Sequence, residues 1–265
     1  MLAAGSAVGA QWQAAGMEEF IERDLTGARF KIVDLSNSRF SDLNLSGALL
    51  RGVWADRLEL DGDFGSLVVN GVDVAPYVLA EMDRLDPERV LMRPDDADGF
   101  RTAWPIVERR WAETVDRARQ LPPELLDERV DEEWSFIETL RHLVMATDAW
   151  VLRALLGDPT PYHPLGLPHS EMDDPSGTVP RDLDARPSLD EVLAVRADRM
   201  ARVGEVIAGL TDDRLAEMTE PVLEPGYPAS ESYPVRRCIG AILNEEWEHR
   251  RFAERDLTIL EARTR

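Results

Sequence analysis

Cysteine is almost missing from this chain. Cys238 stands alone among 265 residues, which excludes an internal disulfide, a CxxC redox pair and a cysteine zinc cluster. Lysine is as scarce: Lys31 is the single one, the other 29 of the 30 basic residues are arginine, and 51 acidic residues bring the net charge to -21. Such a chain is repelled by phosphate backbones and anionic bilayers, which argues against nucleic-acid and membrane partners. The near-complete use of arginine for lysine fits GC-rich coding rather than a function. No stretch approaches the roughly 18 consecutive apolar residues of a membrane span, and the opening MLAAGSAVGAQWQAAG lacks a basic n-region. No nucleophile elbow, phosphate loop or dinucleotide fingerprint is present either. These absences predict a cytoplasmic chain with a loose leader over 1–17, in which Met17 competes with Met1 as the true start.

What is present falls into two periods. From Phe20, Leu or Phe recurs every fifth residue through Leu25, Phe30, Leu35, Phe40, Leu45 and Leu50; Ala55 interrupts the row and Leu60 resumes it. A period of five matches neither helix nor strand. Small hydroxylated residues tend to follow the central one (Thr26, Ser36, Ser41, Ser46). This pattern resembles the pentapeptide-repeat family, and the resemblance implies a four-sided right-handed β-helix with the central residue stacked inside. Nine repeats make only about two coils, too few to bury much without a cap. Residues 65–90 are expected to supply that cap as a β segment near Val68–Val74 and a short helix. The turn-rich RPDDADG at 93–99 marks the expected boundary, giving a repeat domain over 18–98 and a second domain over 99–265.

The second domain reads as helical. Trp104, Val107, Trp111, Val115 and Ala118 follow helical spacing, so 100–119 forms an amphipathic helix. A second helix begins at DEEWSF, where Asp131 is the expected cap, and runs to Leu156 with an apolar surface on nearly all sides beyond Leu143. A third starts at Ser188, whose SLDE forms a capping box with Glu191, and reaches about Gly209. A fourth occupies 235–262. The expected fold is therefore an all-α four-helix bundle behind a short β-helix, α+β and multidomain overall. Residues 157–187, with seven of the 17 prolines, and 216–233 are long irregular connections that fit either a lid or a plain surface wrap.

On the fourth helix, Cys238, Ile242, Glu245, His249 and Phe252 share one inward stripe. A carboxylate and an imidazole one turn apart in a core need a partner. Of the four histidines, His163 and His169 lie in the proline-rich segment and read as solvated, whereas His142 sits midway along the buried second helix. His142, Glu245 and His249 together fit a three-ligand metal site with an open position, and equally an ordinary buried histidine–glutamate pair. Cys238 lies seven residues before Glu245, about 10 Å along the axis, and reads as a small buried apolar residue rather than a nucleophile.

The segments EWSFIETLRHLVMATDAWVLRALLGD (133–158) and RRCIGAILNEEWEHRRFAERDL (236–257) resemble the DinB superfamily of four-helix bundles. The resemblance implies a divalent metal held by a histidine of the second helix and two ligands one turn apart on the fourth: here His142, Glu245 and His249. Glutamate in place of the usual histidine at the first of the paired positions is similar to the mycothiol-dependent branch that includes maleylpyruvate isomerase, and implies zinc, with nickel or iron as alternatives. The implied activity is metal-dependent transfer of a small thiol, with mycothiol as co-substrate, to a small electrophile. Two other readings stay open: metal-dependent hydrolysis, and a non-enzymatic interaction protein that works through the repeats. The repeat segment is expected to cap the bundle or to mediate a homodimer.

Overall fold

In the computed structural model, residues 20–264 are described, apart from 22, 41, 42, 63, 170, 171, 173 and 175. The expected leader over 1–17, the choice between Met1 and Met17, and Ser41 lie outside the described residues. The chain divides into two compact units, one ending at Gly62 and the other spanning Asp63–Arg265.

In the first unit the backbone turns with a ten-residue rhythm beneath the five-residue side-chain row. Ala28, Ser38 and Ala48 donate from their backbone N–H to the carbonyls of Leu25, Leu35 and Leu45 at 2.9, 3.1 and 2.9 Å. Inside each turn, Asp24, Asp34 or Asn44 accepts from the N–H two residues on, and Gly27, Asn37 or Gly47 takes the positive φ that such a turn demands. The expected inside stack does not form, and no strand is assigned among the described residues of this unit. The central side chains stay exposed, from Leu25 at 46% to Leu50 at 67%. The physical reason is length: a solenoid coil buries its central residue only against neighbouring coils, and two coils have almost none.

The second unit opens with a hairpin, β1 (Val68–Val69) and β2 (Val72–Asp73), closed by Asn70-Gly71 with φ of 49° and 84°. This dipeptide at positive φ is the turn that matches strand twist. Then follow α1 (Ala75–Leu85), a 3-10 turn (Pro87–Met92), α2 (Ala97–Ala118), α3 (Phe136–Thr147), α4 (Leu189–Ala208), the short α5 (Asp212–Ala216) and α6 (Val235–Arg263). The four long helices close a ring in which α2 packs on α6, α6 on α3, α3 on α4 and α4 on α2. One apolar core fills it, with Trp104, Val107 and Trp111 of α2, Leu140 and Leu143 of α3, and Ile242, Leu243 and Trp247 of α6.

The starts of α2, α3, α4 and α5 follow side-chain capping, whereas α1 and α6 start without a side-chain cap. Ser188 and Glu191 form the expected capping box on α4. On α3 the cap is Ser135 with Glu138, four residues past the expected Asp131. Asp131 and Glu132 instead take φ of 52° and 67° in the preceding turn, a conformation that cannot start a helix. Beyond Thr147 the second helix continues to Leu155 as a π-helix rather than an α-helix.

Candidate metal centre

Two helices bring the predicted residues together. α6 carries Glu245 and His249 one turn apart, and α3 carries His142 opposite them. One donor atom from each of the three lies within 4.8 Å of the others. Glu245 Oε2 is 3.2 Å from His142 Nε2 and 3.1 Å from His249 Nε2. Two atoms each about 2.0–2.1 Å from a tetrahedral zinc stand about 3.3 Å apart, so both separations suit a shared cation.

The hydrogen bonding at His142 tests that fit. Its Nδ1 lies 3.0 Å from the carbonyl oxygen of Leu167, which can only accept, so Nδ1 carries the proton. A neutral His142 then presents a bare Nε2 lone pair to a carboxylate oxygen. Two acceptors facing each other at 3.2 Å require a positive charge between them, supplied by a second proton or by a cation. Fixing the tautomer through the far ring nitrogen is also how metal-binding histidines are held. The donor set thus fits a divalent ion. Burial pushes the Glu245 carboxyl up, and the hydrogen bonds and charge of His142 and His249 overcome it, holding the group well below the ordinary carboxylate range.

Trp134 fastens the imidazoles from behind. Its ring centroid is 4.4 Å from that of His142 and 5.7 Å from that of His249, the latter nearly stacked at 25°. In front lies a cavity of about 320 Å³ lined by the three donors, Met145, Ala146, Trp150, His169 and Tyr227. The π-helix brings Trp150 into this wall.

Both long connections reach the cavity, and buried arginines hold them there. Arg141, fully buried, donates to the carbonyls of Leu165, Asp182 and Ala185 at 2.9, 2.5 and 3.0 Å. Arg153, 1% exposed, donates to Pro159, Val222 and Pro228 at 3.4 Å each, and to Glu224. Met172 and Val179 pack on Met145 and Ala149 as a second small core. Of the two options for 157–187, this is a wrap that roofs the pocket. The Leu167 carbonyl that orients His142 belongs to it.

His163, expected to be solvated, is half-buried: its backbone N–H donates to Asp148 at 2.8 Å and its ring Nδ1 accepts from the N–H of Leu165 at 3.1 Å. His169, read the same way, lines the cavity and meets Tyr227 edge-on at 6.0 Å. Trp134 and Tyr227 carry no signal of their own in the sequence, since neither belongs to a periodic stripe. Cys238 is fully buried, and burial pushes its thiol up to about 11. No described helix is long and apolar enough to cross a membrane.

A family model described as the DinB superfamily matches residues 106–253. No curated protein and no solved structure matches the chain.

Proposed function

Because the chain belongs to the DinB superfamily, whose members commonly bind a divalent metal, we propose that it holds such a metal at His142, Glu245 and His249 and uses it to transfer a small thiol to a small electrophile. The observation that carries this reading is the pair of facing acceptors, His142 Nε2 and Glu245 Oε2, at the floor of an open cavity. Zinc is the ion that best suits two imidazoles and a carboxylate at these separations. Held by one carboxylate and two neutral imidazoles, a divalent cation keeps net positive charge and favours the thiolate form of a thiol brought against it.

The protein residues supply the rest. The Leu167 carbonyl and Trp134 fix the His142 ring, while Met145, Ala146 and Trp150 give the acceptor an apolar wall that limits water. Burial raises the Tyr227 phenol, so it stays protonated and offers a hydrogen-bond donor to the ligand. Mycothiol is the thiol that the glutamate-containing ligand pattern favours.

The test is elemental analysis of the purified protein, with about one divalent metal per chain expected, followed by conjugation of 1-chloro-2,4-dinitrobenzene with mycothiol, bacillithiol or glutathione. Loaded protein should accelerate the mycothiol reaction and chelator-stripped protein should not. Equal rates for both would sink the transferase reading.

For residues 20–62 we propose a short pentapeptide-repeat segment that serves self-association rather than the site, supported by the five-residue row and its ten-residue turns. A chain beginning at Asp63 should keep its metal and elute as a smaller assembly. Unchanged subunit number would remove the self-association role.

A further inference from the structure

The three proposed metal donors account for one wall of the cavity and leave His169 without a role. Each long connection sends one side chain into that space, His169 from 157–187 and Tyr227 from 216–233, and the two rings meet edge-on at 6.0 Å. Both sit on backbone that other side chains tie down. The carbonyl of His169 accepts from the backbone N–H of Met172 and from Arg181 Nη2, each at 3.2 Å, and Arg181 also donates to the carbonyl of Met172 at 3.1 Å. Met172 is itself buried in the small second core. Across the roof, the Tyr162 hydroxyl accepts from the N–H of Tyr227 at 2.8 Å and donates to its carbonyl at 2.7 Å. Gly226 permits that grip, since a Cβ there would collide with the Tyr162 hydroxyl. Irregular chain pinned at two positions whose side chains enter one pocket holds those side chains in register, as a reacting site requires.

His169 does not complete the donor set. The described donor atoms that lie within 4.8 Å of one another belong to His142, Glu245 and His249, and His169 is not among them. What it offers is a proton acceptor, and elimination leaves no other lining residue for that task. Glu245 is already faced by two imidazole nitrogens. His142 has its Nδ1 on the Leu167 carbonyl and its Nε2, like that of His249, turned toward Glu245. Burial keeps the Tyr227 phenol protonated. Met145, Ala146 and Trp150 carry no base. Histidine is also the side chain whose ordinary change of charge falls between pH 5 and 8. The cavity, about 320 Å³, is at the small end of ligand pockets, so a sulfur seated against the donor set is within reach of the roof directly or through one water.

We infer that His169 is the general base of the thiol transfer, a catalytic residue outside the donor pattern of α3 and α6. This rests on the thiol-transfer reading above and adds the destination of the thiol proton to it. The S–H bond breaks as its proton passes to a ring nitrogen of His169, and the electron pair stays on sulfur. That pair forms the new S–C bond with the electrophile. With 1-chloro-2,4-dinitrobenzene the C–Cl pair leaves as chloride, and the imidazolium returns its proton to water.

The experiment uses the full chain, zinc-loaded, as wild type and as His169→Gln, at about pH 7.5, where an ordinary imidazole is mostly neutral. Mycothiol, bacillithiol and glutathione are titrated by calorimetry in phosphate and in Tris, whose different ionisation enthalpies report the protons handed to the buffer. A thiol that binds as thiolate should release almost no proton from the wild type, because His169 keeps it, and about one from His169→Gln. The variant should also lose about 100-fold in kcat for conjugation of 1-chloro-2,4-dinitrobenzene, with KM for the thiol little changed. Its metal content and melting curve should match the wild type, which separates lost proton transfer from unfolding. The wild-type count stands by itself if the variant unfolds: a full proton released to buffer would overturn the inference. So would equal proton release in the two proteins, an unaltered kcat in His169→Gln, or no thiol bound by the loaded wild type. Loss of metal from His169→Gln would make the residue a ligand and overturn it as well. Elemental analysis and the stripped-protein rates keep the two readings apart. Absent metal, or equal rates for loaded and stripped wild type, takes down the thiol-transfer reading and this one with it, whereas metal-dependent conjugation that is equally fast in His169→Gln removes this inference alone.

Discussion

Glu245 and Glu246 are consecutive on α6 and serve opposite sides of it. On the dry side, Glu246 is 1% exposed and takes two bonds from Arg196, itself 2% exposed, at 3.1 and 2.8 Å. Arg196 lies over the Trp111 ring at 5.0 Å, and the indole of Trp111 donates to the backbone carbonyl of Glu246 at 3.2 Å. On the cavity side, Glu245 meets two imidazoles at the edge of open space, with 30% of its side chain exposed. A carboxylate matched by a guanidinium is neutralised for good, because arginine does not give up its proton. A carboxylate matched by imidazoles is neutralised only when a proton or a metal arrives. The charged partner, more than the depth of burial, separates a structural glutamate from a binding one.

The sharpest way to break that comparison is Glu246→Ala. It leaves Arg196 buried and unpaired, a change expected to cost about 3–5 kcal/mol of stability. Thermal or urea unfolding measures it, and the metal content of the protein that remains folded should not change. Metal loss with unaltered stability would mean that the two glutamates have been assigned to the wrong sides.

A smaller effect on the fold is expected at the other face. His249→Ala removes one donor and should abolish stoichiometric metal, while disturbing a partly exposed polar pair worth about 1–3 kcal/mol at most. The clean signature is linkage. A ligand that binds only the folded state raises the melting temperature, so chelator should lower that of the wild type and leave that of His249→Ala where it is. A variant with full metal content and an intact response to chelator would remove His249 from the site.

The wet face of α6 was legible in the sequence and most of the dry face was not. Glu245, His249 and His142 stand out because each interrupts an apolar pattern with the wrong polarity; α2 and α6 are legible from helical period alone, and α4 from its period together with the Ser188–Glu191 capping box. Glu246 does not stand out, since its partner Arg196 is fifty positions away on another helix and no local pattern couples them. Arg141 and Arg153 read as ordinary helical charges, yet their partners are loop carbonyls that only the folded chain assembles. His169 and Tyr227 sit in segments without periodicity, where position is set by those arginine clamps. The five-residue row was legible as a rhythm but not as a core, because burial in a solenoid is a property of stacked coils rather than of the repeat itself.

The smallest expected effect lies at the closed end of the same stripe. Cys238 is one of its inward residues, two turns before Glu245, and it is fully buried where Glu245 is not. Burial drives its thiol up to about 11, with Arg237 only partly opposing, so at pH 8 almost none of it is thiolate and almost none can react. Iodoacetamide at that pH should leave the native protein unlabelled and modify it fully in denaturant. Cys238→Ala should cost about 1 kcal/mol for the small void and change neither metal content nor conjugation rate. Rapid labelling of the folded protein would open the stripe to solvent as far as Cys238, and a loss of conjugation with metal retained would make Cys238 part of the chemistry. Either result would erase the division of α6 into a closed apolar end and an open liganding end.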